Sequence, residues 1–140
     1  NGIQAADLVG RKLGMAGGDL VRGLIDDIAV GAADSPELQQ LVDACRAVTD
    51  WMVTANTGDR LAGSYPYLTM LATATCGWLM AIQQKAARTA LDEGSGDVAF
   101  LEAKVASTRF YLQQIVPAAT GLAASALAGN AALEPLPKTA

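Results

Sequence analysis

DVAFLEAKVASTRFYLQQIVPAATGLAASALAGN, residues 97–130, is the stretch that decides the fold class. Leu101, Val105, Thr108, Leu112, Ile115, Ala119, Leu122 and Ala126 fall alternately four and three apart, a spacing that lines one face of an α-helix and that no strand reproduces. Asp97 stands where a side-chain oxygen can accept from the first free backbone N–H groups, so the helix is read as starting there, and Gly129-Asn130 ends it. Pro117 lies inside the repeat. It has no N–H to donate and its ring crowds the turn before it, so a kink is expected, with Gly121 absorbing part of it.

Upstream, a second long helix is expected to start between Asp59 and Ser64, to hold Pro66 in its first turn and to reach Asp92. Its apolar face is read as Leu68, Leu71, Thr75, Leu79, Ile82 and Ala86, and Glu93-Gly94-Ser95-Gly96 closes it. A third begins at Ala33-Asp34-Ser35-Pro36-Glu37, where Ser35 can cap, Pro36 fits the first helical position and Glu37 suits the positive helix end. Leu38, Leu41, Val42, Cys45, Val48, Met52 and Ala55 share one of its faces, and Gly58 is expected to end it in a left-handed conformation. Two shorter helices come first. One carries Ile3, Ala6, Val9 and Leu13 on one face; the other is capped by Asp19 and buries Leu20, Leu24, Ile25 and Ile28. Gly14 to Asp19 is read as the break between them, since no strand precedes it and no lysine-serine or lysine-threonine pair follows, as a phosphate loop requires.

The sequence therefore predicts an all-α protein, an up-and-down antiparallel helical bundle with one or two shorter N-terminal helices. Small residues at Thr73, Gly77 and Ala81, and at Ala119, Ala123 and Ala126, would let its helices approach closely. An apolar fraction of 51% with only 5% aromatic residues agrees, since alanine and leucine favour helices. The net charge of -4, with no lysine or arginine run, speaks against a nucleic-acid partner. The absence of histidine excludes Ser-His and Cys-His catalysis and histidine-ligated metals in this chain. Cys45 and Cys76 lack CxxC spacing, and no signal-peptide pattern opens the sequence, so a reducing cytoplasmic setting is expected. Leu61 to Gln84 and Phe110 to Leu133 are free of charge for long enough to span a bilayer. Both are rich in alanine, threonine and glutamine, so no membrane partner is expected.

Few side chains suggest chemistry. Lys104 and Arg109 sit in an apolar setting and could dock a carboxylate or phosphate. The plainer reading lays their stems along the bundle and pairs their heads with acids of a neighbouring helix. Trp51 and Trp78 could stack on a ligand but belong to helical stripes and read as core anchors. Asp26 and Asp27 point about 100° apart on a helix and read as solvated surface. No metal site is expected. These residues by themselves specify no reaction.

Asn1-Gly2-Ile3-Gln4-Ala5-Ala6-Asp7-Leu8-Val9-Gly10-Arg11-Lys12-Leu13 resembles the stretch after the Glu-Gly-Thr motif of the acyl-CoA dehydrogenase family. Pro66-Tyr67-Leu68, Gly77-Trp78-Leu79, Ala103-Lys104, Thr108-Arg109-Phe110-Tyr111 and Pro117 resemble the extra C-terminal helical domain of a bacterial subgroup, which includes dehydrogenases of methylmercaptopropionyl-CoA. The resemblance runs from Asn1 to about Gly129. It implies a parent enzyme in which a glutamate, expected just before Asn1, removes the α-proton of an acyl-CoA while FAD takes the β-hydride. An acyl-CoA substrate and an electron-transfer partner are implied for that parent.

The same resemblance places Asn1 and Gly2 near the adenine end of the flavin. The family often has glutamine at the second of these positions, and with Gly2 there only a backbone contact carries over. Residues 1–33 are then expected to close the dehydrogenase's helical domain, 34–130 to form the C-terminal bundle and 131–140 a flexible tail. The chain by itself is expected to bind no FAD and to catalyse nothing. The apolar stripe of Ile3 to Leu13 is expected to fold back on the bundle or to meet a second copy, and a homo-oligomer is expected. A free-standing helical interaction or scaffold protein is the alternative, and the sequence encoded upstream separates the two.

Overall fold

Ser35, Asn56 and Asp97 start their helices by one device: a side-chain oxygen accepts from the backbone N–H three residues on, of Leu38 at 3.4 Å, Asp59 at 3.0 Å and Phe100 at 3.1 Å. In the computed structural model, which describes residues 1–133, the regular elements are all helical. They are α1 (Gly2–Asp7), α2 (Asp19–Gly31), α3 (Pro36–Thr54), α4 (Thr57–Ala62), α5 (Ser64–Asp92), α6 (Val98–Phe110), α7 (Val116–Thr120) and α8 (Ala123–Leu127). Wider π turns at Leu8–Lys12 and Tyr111–Ile115 extend α1 and join α6 to α7, and tighter 3-10 turns occupy Met15–Gly18 and Ala131–Leu133. Residues 134–140 of the expected tail lie outside the described residues.

Contacts along the helices establish the up-and-down arrangement. Arg22 and Asp26 of α2 meet Asp50 and Arg46 of α3, so numbers fall along one helix as they rise along the other. The same holds for α3 and α5, where Thr49 meets Tyr67 and Leu38 lies against Gly77. It holds again for α5 and α6, where Gln83 meets Lys104 and the Met80 carbonyl accepts from Thr108. The core lies between α3 and α5, closed on one side by α2 and the N-terminal segment and on the other by α7 and α8. The Asn130 N–H donates to the Asp59 carboxylate at 2.8 Å and fastens the chain beyond α8 to α4.

The face expected for α3 is the buried one, with Thr49 added. Four other expectations change. Ile3 is 86% exposed, and the N-terminal segment buries Ala5, Val9 and Leu13 against the bundle. There the Leu13 N–H reaches the Leu8 carbonyl, one residue further back than in an α-helix, and the wide turn keeps these three residues in line. In α2, Leu20 and Leu24 face solvent, because Val21, Ile25, Ile28 and Ala32 at spacings of four, three and four make the longer stripe. Asp19 is the first residue of α2 and pairs with Arg22; the cap is Gly18, whose φ of 96° follows two other left-handed residues, Ala16 and Gly17. Gly58 is an ordinary member of α4, since Asn56 starts a new helix where the sequence suggested only an end.

The largest change concerns α5. Its buried face is Tyr67, Met70, Thr73, Ala74 and Gly77, with Leu71 of the expected stripe also buried, while Leu79 and Ile82 are exposed. Small residues are selected toward Gly77, where Leu38, Leu112 and Val116 close in. In the last helix the repeat holds through Thr108 and Leu112, and then Val116 is buried in place of Ile115. The π turn before Pro117 inserts one extra residue there, and Val116 donates to the Tyr111 carbonyl five positions back. The break expected near Pro117 and Gly121 thus takes the form of a wide turn and two short helices.

Candidate functional site

Asp7 is the carboxylate nearest the segment with dehydrogenase likeness. Arg11 donates to it from Nε at 2.7 Å and from a terminal nitrogen at 3.0 Å, and Lys12 Nζ lies 3.3 Å away. The Arg11 hydrogen bonds, followed by the Lys12 contact, hold the Asp7 carboxyl below the usual carboxylate range. A general base works best with a pKa near the operating pH. Asp7 is tuned the other way.

The other candidates are spread over the bundle. Asp26 and Asp27 are exposed, and Asp26 pairs with Arg46 at 3.0 Å. Trp51 and Trp78 are half-buried against the core, with the Trp78 indole lying where Gly31 leaves room for it, so both serve packing. Lys104 donates to the Gln83 side-chain oxygen at 3.0 Å and stands 5.6 Å from the centre of the Phe100 ring. Its partner is an amide and an aromatic face, where an acid on the neighbouring helix was expected. Arg109 is exposed, and among the described residues no carboxylate pairs with it. Cys45 is buried and desolvation pushes its thiol up to about 12, whereas Cys76 is exposed. Among the described residues no three acidic or thiol side chains gather as metal ligands, and no helix is long and apolar enough to cross a membrane.

One groove has some shape. It runs between α5 and α6, has a volume of about 170 Å³, and is lined by Met80, Gln83, Phe100, Ala103, Lys104 and Ser107 among others. The sequence held a signal for it: Phe100, Ala103, Ser107 and Phe110 recur at three, four and three, a stripe of α6 that flanks its buried residue, Thr108, which also lines the groove. Small-molecule pockets begin at ~300 Å³, so this groove is too small for a dinucleotide. Asn1 and Gly2 are exposed, and a Cβ added to Gly2 would meet nothing within 4 Å.

The likeness of this bundle to known proteins is more specific than its chemistry. Residues 21–137 match the family described as acetyl-CoA dehydrogenase C-terminal like. The chain belongs to this family. The matched range takes in all but the first two residues of α2 and the whole of α3 through α8, so the shared part is the bundle itself. The 3-methylmercaptopropionyl-CoA dehydrogenase of Ruegeria pomeroyi (strain ATCC 700808 / DSM 15171 / DSS-3) is 33% identical in a 128-residue alignment that covers 81% of this chain. The chain spans only 22% of that relative's length. Both findings agree with the resemblance carried by Pro66-Tyr67-Leu68, Gly77-Trp78-Leu79 and the residues around Arg109: this is a C-terminal helical domain of the acyl-CoA dehydrogenase family.

Proposed function

We propose that this chain acts as the C-terminal helical domain of an FAD-dependent acyl-CoA dehydrogenase, whose whole protein oxidises an acyl-CoA thioester to the 2,3-enoyl-CoA and passes electrons to a protein partner in the cytoplasm. The observation that carries this reading is the family match over residues 21–137, joined by a relative whose name specifies a CoA thioester. Residues 1–33 close the dehydrogenase's own helical domain and 34–130 form the added bundle, with the backbone of Asn1 and Gly2 turned to the adenine end of the flavin. The domain's own contribution is structural, through packing and contacts between copies. Reacting groups come from elsewhere in the whole protein, in keeping with the small groove and the arginine-paired Asp7.

The test has two arms. The purified chain is mixed with FAD, a short acyl-CoA and an electron-accepting dye; a colourless protein and no dye reduction above the blank are expected. Stoichiometric yellow protein, or turnover, would overturn the structural role. The longest polypeptide encoded at the same locus is then purified, and bound flavin with acyl-CoA-dependent dye reduction is expected. A flavin-free, inactive product would sink the dehydrogenase reading and leave a scaffold protein.

A further inference from the structure

Lys104 is a half-buried cation without a carboxylate. Among the described residues every ion pair lies between Asp7 and Asp50, where Arg11, Lys12, Arg22 and Arg46 each meet an aspartate. Lys104 has no such option on its own helix. Three and four positions from it stand Phe100, Leu101, Ser107 and Thr108, and Glu102 points about 200° away around the helix. Its ammonium is turned instead onto the Gln83 amide oxygen at 3.0 Å and the Phe100 ring at 5.6 Å, which hold it at the wall of the groove between α5 and α6.

The protons on offer in that groove are unevenly spent. Ser107 donates its own to the Ala103 carbonyl at 2.8 Å, and Thr108 shares its own between the carbonyls of Lys104 and Met80. An ammonium has three N–H groups, and Lys104 gives one to Gln83. Because Gln83 accepts through its oxygen, its NH2 group keeps both protons, and among the described residues no acceptor meets them. The polar side of the groove is therefore rich in donors and carries one positive charge. Met80, Phe100 and Ala103 supply its apolar side.

We infer that this groove binds a small free carboxylate on a short apolar stem, its charged end on Lys104 and the Gln83 NH2 group and its stem against Met80 and Phe100. A carboxylate carries a single negative charge and only accepts, which matches one ammonium beside an NH2 group. A phosphate monoester carries roughly 1.5 to 2 negative charges and would meet one cation on a chain of net charge -4. Size agrees as well. The groove's volume of about 170 Å³, set against the ~30 Å³ that one water takes in the liquid, suits a ligand of about six heavy atoms. An ammonium partly withdrawn from water without a counter-ion is also under-solvated, and a bound carboxylate offsets that cost. Neither flavin nor catalysis enters this site, so the inference stands apart from the dehydrogenase reading.

Nuclear magnetic resonance of the isotope-labelled 140-residue chain, titrated with butyrate at constant ionic strength, reads the binding. Saturable shifts of the Gln83 side-chain NH2 signal and of the Ser107 and Thr108 amides are expected, with a Kd on the order of 1 mM for a ligand of so few atoms. Butanol and butylamine share the stem without the negative charge and should bind at least tenfold more weakly. Lys104→Gln weakens butyrate at least tenfold at unchanged helix content, and so does Gln83→Glu, which hands Lys104 a carboxylate of the chain's own. Arg109→Gln removes a cation of the same helix outside the groove and leaves the affinity within twofold. Shifts that climb without saturating, inorganic phosphate binding as tightly as butyrate, or equal losses in Lys104→Gln and Arg109→Gln would each overturn the proposal. Tighter binding of a capped tripeptide centred on glutamate would overturn it too, giving the groove to a protein segment in place of a free acid.

Discussion

The hydroxyl of Tyr67 lies 2.7 Å from the hydroxyl of Thr49, between α5 and α3, and both residues are closed to solvent. Thr49 is also 2.7 Å from the Cys45 carbonyl, which can only accept. The Thr49 proton is therefore spent on Cys45, and Tyr67 must be the donor in the pair. Removing the two partners is consequently unequal. Thr49→Val leaves the Tyr67 hydroxyl buried without an acceptor and should cost ~1–3 kcal/mol, whereas Tyr67→Phe leaves Thr49 its own bond and should cost ~1 kcal/mol. Urea unfolding of the two variants and the double variant measures this. A larger loss for Tyr67→Phe would reverse the assigned direction of the bond.

The same seam makes the fold sensitive to alkali. Desolvation raises Cys45 from 9.0 to about 12, and raises Tyr67 from 10.0 to about 12. In the unfolded chain both groups ionise at their ordinary values, so the unfolded state loses these protons first. The stabilisation is whole below about pH 9 and is lost as pH rises through the folded values near 12. Cys45→Ala should lower stability at pH 8, because a cavity opens, yet flatten the decline between pH 9 and 11. Unfolding midpoints at both ends of that window decide the matter, and parallel declines for wild type and variant would show that Cys45 is not desolvated as described.

Caps and the α3 stripe could be read from the sequence because they are local: Ser35, Pro36 and Asp97 act within one turn, and α3 buries the face its apolar spacing marks. The face of α5 could not. Leu79 and Ile82 are more apolar than Ala74 and Gly77, yet α5 lies among several helices and the small residues win the crowded side. Kinship to the dehydrogenases was legible in short runs such as Gly77-Trp78-Leu79, whereas of the groove beside Lys104 only the α6 stripe could be read, since the groove exists only once α5 and α6 are paired.

The π turn before Pro117 supplies a direct test of register. An unbroken repeat would bury Ile115, whereas the structure leaves it 40% exposed and encloses Val116 completely. Val116→Ala should cost about 2 kcal/mol and Ile115→Ala under about 1 kcal/mol, despite the larger side chain removed from the latter. Leu112→Ala, upstream of the shift and buried either way, should cost ~2–5 kcal/mol. Thermal unfolding of all three ranks them. If Ile115→Ala proved the costlier of the neighbouring pair, the helix would run straight through this point.

Two glycines of α5 and its cap look alike in sequence and should respond differently to alanine. At Gly63 a Cβ would fall onto the Ala126 carbonyl oxygen and come 2.8 Å from Met52 Cε. The backbone φ there is -84°, which any residue adopts, so space alone is what forbids a side chain. A backbone oxygen cannot swing aside. Admitting the methyl would push α8 off the start of α5 and strain the Asp59–Asn130 fastening, so a loss above about 2 kcal/mol is expected. At Gly77 the tightest neighbour is the Leu38 Cδ1 methyl at 3.0 Å, the free end of a flexible side chain, while Leu112 and Val116 stand at an ordinary 3.6 Å. Alanine also favours the helix interior by ~1 kcal/mol over glycine, which offsets the small shift of Leu38. Gly77→Ala should therefore be close to neutral, and urea midpoints for the two variants should separate clearly. Equal losses would mean that α5 and α8 do not approach as closely at Gly63 as the structure places them.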